Sequence, residues 1–161
     1  GALAGGGAPI IAIDPSDEKR QIASELGAIA VTPETASAAI TQTFPDGGAD
    51  LVIETVGKAA VLRAAYGAAR RGGRIVTVGL PNASELLDLP AVALVADGKT
   101  LIGCYMGSSI PSRDIPRYIA LWQSGRLPVE KLLTSVHPLA EINSLLDVLA
   151  DGRAIRQIVM P

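Results

Sequence analysis

Apolar residues come in short dense runs separated by amphipathic stretches, and the two kinds of segment alternate along the chain. Residues 9–13 (PIIAI), 28–31 (AIAV), 51–54 (LVIE), 74–80 (RIVTVGL), 100–105 (TLIGCY) and 155–160 (IRQIVM) are rich in Ile, Val and Leu, the pattern of strands buried on both faces. Residues 16–26, 35–44, 59–71, 91–96, 115–124 and 139–150 read as helices. Gly27, the Gly72-Gly73 pair and Gly125 stand where three of these helices stop, Pro45-Asp46-Gly47-Gly48 is a turn cluster, and residues 81–89 form a loop. Strand and helix in turn, with connections of about two to six residues, predict an α/β fold: a doubly wound parallel sheet with helices on both faces. No repeat, linker or low-complexity tract interrupts the pattern, so the expectation is one domain over residues 1–161.

Composition narrows the partners. A chain of 161 residues with 48% apolar and 19% charged positions is large enough for one full core. The net charge is −2, with 14 basic and 16 acidic residues and no basic run, so no nucleic-acid partner is expected. A single cysteine, Cys104, excludes an intrachain disulfide and fits a cytoplasmic setting. No apolar run approaches the roughly 18 residues of a membrane span, and no membrane partner is expected. Residues 1–13 lack a basic start and read as the interior of a domain, not as a signal peptide.

The candidate chemistry lies at strand ends, where doubly wound sheets bind ligands. Asp14 closes the first strand in I-A-I-D-P. Its carboxylate either caps the following helix or accepts hydrogen bonds from the ribose hydroxyls of an adenosine, in which case it repels a 2′-phosphate and favours NAD over NADP. Lys19, five residues on, is placed to reach the same ribose. The G-x-G-x-x-G loop expected about 20 residues before such an acid has no room, since only 13 residues precede Asp14. Gly5-Gly6-Gly7 has the wrong spacing for it and reads as a helix stop, with residues 1–4 as the tail of that helix. Three further strand ends carry glycine turns: Thr55-Val56-Gly57, Val78-Gly79-Leu80 and the segment Gly103 to Gly107. The lack of a side chain there permits close backbone approach.

Taken together, IAIDPSDEKRQIASELGA, DLVIETVG, RRGGRIVTVGLP, KTLIGCYMGSS and AEINSLLDVLADGRAIRQIV resemble the coenzyme domain of zinc-dependent medium-chain alcohol dehydrogenases, in order and over nearly the whole chain. The resemblance implies a Rossmann-like sheet, truncated at its N-terminus so that the first strand and the Gly-rich loop are missing. It implies NAD as cofactor, with Asp14 and Lys19 at the adenosine ribose and Thr55, Val56 and Gly57 beside the adenosine and the following ribose. Val78, Gly79 and Leu80, with Cys104, Tyr105 and Met106, would hold the nicotinamide carboxamide, and Arg156 would pair with the pyrophosphate. A guanidinium suits that last contact, whereas the alternative is a surface arginine at a strand start.

The same resemblance implies a small-molecule alcohol or aldehyde substrate and, in the parent protein, a catalytic zinc. The family's zinc ligands, two cysteines and a histidine or a close variant, come from another domain. Cys104 and His137 are the only Cys and His here and cannot supply three ligands, so no metal-ligating or catalytic residue is expected in this chain. The catalytic zinc domain is expected to be absent and the 161 residues alone to be inactive. The I-P-S-R-D-I-P segment at residues 110–116 points toward the subgroup acting on thiol–formaldehyde adducts. Two other readings stay open: a zinc-free NADPH quinone or enoyl reductase, against which Asp14 argues, and a non-catalytic nucleotide-binding dimerisation module. A homodimer through the apolar strand at residues 100–105 is also expected.

Overall fold

The structure, a computed structural model, describes all of residues 1–161. Contacts divide the chain into two compact units, one formed by residues 7–110 and one by residues 1–6 with 111–161. No helix is long and apolar enough to cross a membrane.

The larger unit begins with β1 (Ile11–Ile13), α1 (Asp17–Glu25) and β2 (Ile29–Val31). Ser16 caps α1 by accepting from the Lys19 amide, and Asp17 and Glu18 fill its first turn, where acids are favoured. The helix ends as a Schellman motif, with Ala28 N–H donating to Ala23 O and Gly27 N–H to Ser24 O. β1 and β2 pair in parallel, Ile11 opposite Ile29 and Ile13 opposite Val31. After α2 (Ala36–Thr43) come β3 (Ala49–Glu54), α3 (Ala59–Ala68), β4 (Ala69–Thr77), α4 (Ala91–Asp97) and β5 (Thr100–Gly103). β3, β4 and β5 form a second parallel sheet in that order. Its core is Ala65, Tyr66, Ala69 and Ile75, with Val52, Leu62, Leu89, Ala93 and Leu101 packed around it; Ile75 is 0% exposed.

The expected parallel α/β arrangement is present, but β1 and β3 do not pair with each other. The break falls between the two sheets, where the strand order of this fold places a central strand. Leu51 and Ile53 on β3 and Ile13 on β1 are correspondingly exposed.

The smaller unit holds α5 (Pro111–Gln123), β6 (Leu133–Pro138), α6 (Ile142–Ala150) and β7 (Arg156–Met160). β6 and β7 pair in parallel. Leu145 and Ala154 are its buried apolar residues. At residues 1–6 the chain makes one helix-like turn, Gly5 N–H reaching Gly1 O at 3.0 Å.

Several boundaries differ from the sequence expectations; α5 begins at Pro111 rather than at residue 115, and β4 at Ala69 rather than at residue 74. The helix read as 59–71 ends at Ala68, because Ala69 already pairs with Ala49. A Cβ on Gly48 would lie 2.6 Å from Arg70 N, so the backbones here are in direct contact and strand pairing wins over helix continuation. The strands read as 74–80 and 100–105 stop at Thr77 and Gly103, which leaves 78–80 and 104–106 as turns. β6 was not expected at all: L-T-S-V-H-P shows no period-2 alternation, and the pairing that makes it a strand lies some 20 residues downstream.

Candidate functional site

The carboxyl ends of β3 and β4 are joined by Glu54, the last residue of β3, which is 4% exposed. Its backbone carbonyl accepts from Val78 N at 2.8 Å and Gly79 N at 3.4 Å. Its side chain turns back on the segment that follows it: Oε1 accepts from Val56 N at 2.6 Å and Gly57 N at 2.8 Å. Oε2 accepts from the Thr77 hydroxyl at 2.8 Å. The turn at 55–57 is thereby laid against the turn at 78–80. A Cβ at Gly79 would stand 2.1 Å from Gly57 N, and one at Gly57 would stand 2.7 Å from Leu80 N. No side chain fits at either position. Cys104 N–H donates to Thr77 O at 2.9 Å, which ties the third turn to the same edge.

Val56, Leu80, Tyr105 and Met106 are exposed along this edge, an apolar rim over backbone that is locked from below. Met106, Gly107 and Ser108 all have left-handed φ, at 51°, 68° and 50°. Two of them are not glycine, so this turn is strained. A cleft of about 50 Å³ lies behind the edge, lined by Glu54, Gly57, Lys58, Leu62, Thr77 and Glu85 among others. Glu85 Oε2 accepts from Ala59 N at 2.7 Å, so the loop after β4 caps α3.

Asp14 follows β1 and is half-buried. Its Oδ1 accepts from Ser16 N at 2.9 Å, an Asx turn that leads into α1, while the capping itself is done by Ser16. A carboxylate has acceptor sites on both oxygens, so that bond leaves room for further donors. Arg20 donates from Nη1 to the Asp14 carbonyl at 2.7 Å and also reaches the Asp17 carboxylate. Lys19 sits on the first turns of α1.

Arg156 begins β7 in the other unit, where its guanidinium donates to the Ile155 carbonyl at 3.2 Å. It is the one sequence-read site residue that falls outside the larger unit. His137 links Glu141 and Ser135, each at 2.8 Å, and closes the end of β6 onto the next turn.

Glu54 and Thr77 were missed in the sequence because each looks like an ordinary strand residue. The available signal was a carboxylate ending an otherwise apolar strand three residues before a glycine (E-T-V-G). Zinc, which the resemblance implies, finds no fit among these residues: no three His, Cys, Asp or Glu side chains come together to hold a metal. The donor set suits a dinucleotide in one respect: Asp14 keeps acceptor capacity for ribose hydroxyls beyond its bond to Ser16 N.

Residues 1–124 match the family model described as zinc-binding dehydrogenase. The NDMA-dependent alcohol dehydrogenase of Amycolatopsis methanolica is 33% identical over 99% of this chain and 44% of its own length. Among solved structures, benzyl alcohol dehydrogenase from Acinetobacter calcoaceticus superposes with a TM-score of 0.87 at 29% identity, over 95% of this chain and 42% of that one. An alcohol dehydrogenase zinc-binding domain protein from Burkholderia ambifaria gives 0.88 at 29% identity, over 96% and 42%. The chain thus spans less than half the length of these relatives. With the family model covering residues 1–124 and the likeness to solved dehydrogenases extending over nearly the whole chain, this protein belongs to the zinc-binding dehydrogenase family.

Proposed function

We propose that the chain is the NAD-binding part of an alcohol dehydrogenase that passes hydride between a small alcohol or aldehyde and nicotinamide, with zinc held by residues outside it. The observation that carries this reading is the backbone contact of Gly57 with Gly79 at the carboxyl edge of β3 and β4. It brings the two turns together at the carboxyl edge of the sheet, the place where doubly wound folds take a ligand. When bound, the nicotinamide supplies the hydride acceptor or donor. The chain's own residues bind and orient it: Thr55, Val56 and Gly57 on the adenosine side, and Val78, Gly79, Leu80, Cys104, Tyr105 and Met106 beside the nicotinamide. Asp14 and Lys19 take the ribose hydroxyls, and Arg156 takes the pyrophosphate. Asp14 is the basis for NAD over NADP, because a 2′-phosphate would meet its carboxylate.

Steady-state assays of the whole enzyme that carries this chain together with its zinc ligands, with primary alcohols, NAD against NADP and with or without a chelator, test the proposal. NAD-preferring, chelator-sensitive oxidation is expected. Preference for NADPH with chelator-insensitive activity would favour the zinc-free reductase reading instead. The residues further act as one domain and pair through β5 with a second copy. A single cooperative unfolding transition and a dimer in sedimentation are expected, and two transitions or a monomer at high concentration would count against these points.

A further inference from the structure

We infer that Glu54 is a positioning residue for the nucleotide site: it holds the 55–57 and 78–80 turns in one arrangement and so sets nucleotide affinity without touching the nucleotide. This rests on the cofactor reading above and names a residue that reading does not use.

The ladder between β3 and β4 ends at the pair Glu54 and Thr77. Beyond it the two segments have no strand register to keep them together. Five hydrogen bonds converge on Glu54 at that point, from Val56 N, Gly57 N and Thr77 Oγ1 to its carboxylate and from Val78 N and Gly79 N to its carbonyl. A position this buried would ordinarily carry an apolar residue, since burying a carboxylate costs free energy unless its oxygens are satisfied. Here the acid takes the amides that the turn would otherwise leave without partners, and one oxygen reaches across to the neighbouring strand. The 2.1 Å that a Cβ on Gly79 would leave to Gly57 N shows how little freedom remains between the turns. A small loss of the tie would move the surfaces that meet the ligand.

Thr77 offers the cleaner test, because Thr77→Val keeps the shape and removes only the hydroxyl, whereas Thr77→Ser keeps the hydroxyl. Glu54→Gln is a second conservative probe: its amide oxygen can accept from Val56 and Gly57, and its NH₂ can donate to the Thr77 hydroxyl, which rotates to accept. NADH binding by fluorescence titration and amide exchange at Val56 and Gly57 are measured in the whole enzyme that contains this chain, with melting temperature recorded alongside. Thr77→Val is expected to weaken NADH severalfold, up to about tenfold where nearly all of its bond to Glu54 goes into holding the turns in the binding arrangement, and to speed exchange at both amides. Thr77→Ser and Glu54→Gln are expected to stay within about threefold of the unaltered protein, a change worth well under one such bond. A lowered melting temperature in Thr77→Val with NADH affinity unchanged would make the contact merely structural and overturn the inference. Unchanged exchange at Val56 and Gly57 would overturn it even where NADH binds. Failure of the unaltered protein to bind NADH would instead overturn the cofactor reading, and the affinity role with it.

Discussion

Single residues divide sharply by what surrounds them. Gly79→Ala drives a methyl into the Gly57 backbone, which has no flexible end to move aside. We expect a loss beyond about 3 kcal/mol, outside the range of ordinary substitutions, read as a collapse of the denaturation midpoint. Gly67→Ala is the control. Gly67 lies in α3 with nothing within 4 Å of an added Cβ, so the same change there gains about 0.5–1 kcal/mol from helix propensity. The sequence shows two glycines of equal rank, and only the neighbours distinguish them. Tyr66 makes a related point. Its ring is in the core with Lys99 stacked 4.7 Å from the centroid, yet its buried hydroxyl has no hydrogen-bond partner. Burial and the Asp97 charge both push the phenol's pKa up, so the neutral form is held throughout the ordinary range. Tyr66→Phe removes an unsatisfied group and keeps the packing, and its melting temperature should equal or exceed that of the unaltered protein.

At the scale of elements, the signals that could be read were local and those that could not were pairings. Ser16, the acidic first turn and Gly27 bound α1 nearly where the sequence places it, because caps are written in adjacent residues. Ser16→Ala should cost about 1 kcal/mol through the lost cap, visible in the denaturation midpoint. The end of α3 was misplaced because Ala69 takes its conformation from Ala49, twenty residues away, and β6 was missed for the same reason. A further element-level contact is testable by pH. The indole N–H of Trp122, at the end of α5, donates to the Glu130 carboxylate, and this bond is the main cause that lowers the Glu130 pKa below its usual 4.5. A lowered folded pKa means that the contact's stabilisation is fully present above about pH 4.5 and fades as pH falls through the folded value. Trp122 is the only tryptophan, so its emission reports the event directly. A shift with a midpoint below 4.5, abolished in Glu130→Gln, is expected.

For the whole molecule, the class of fold and most of the candidate edge were legible, since parallel strands in this arrangement leave dense apolar runs and glycine turns at their carboxyl ends. What was not legible is how unevenly the chain is held together. β4 is flanked on both sides, by β3 and β5, and carries the fully buried Ile75. β1 pairs only with β2, over three positions, and β6 and β7 pair only with each other. Local opening follows buried contacts and paired backbone, so protection from amide exchange should be graded rather than uniform. Strand amides at residues 74–77 should exchange at least about 100-fold more slowly than those of β1 and β7, a gap of roughly 2.7 kcal/mol in opening free energy. Uniform protection across all three sheets would mean that the sheets open as one cooperative body. A nucleotide bound at the ends of β3 and β4 should then slow exchange first at residues 55–57 and 78–80, where the edge is paired from one side only. If added NADH left exchange at residues 55–57 and 78–80 unchanged, the edge at Gly57 and Gly79 would not be part of the nucleotide site.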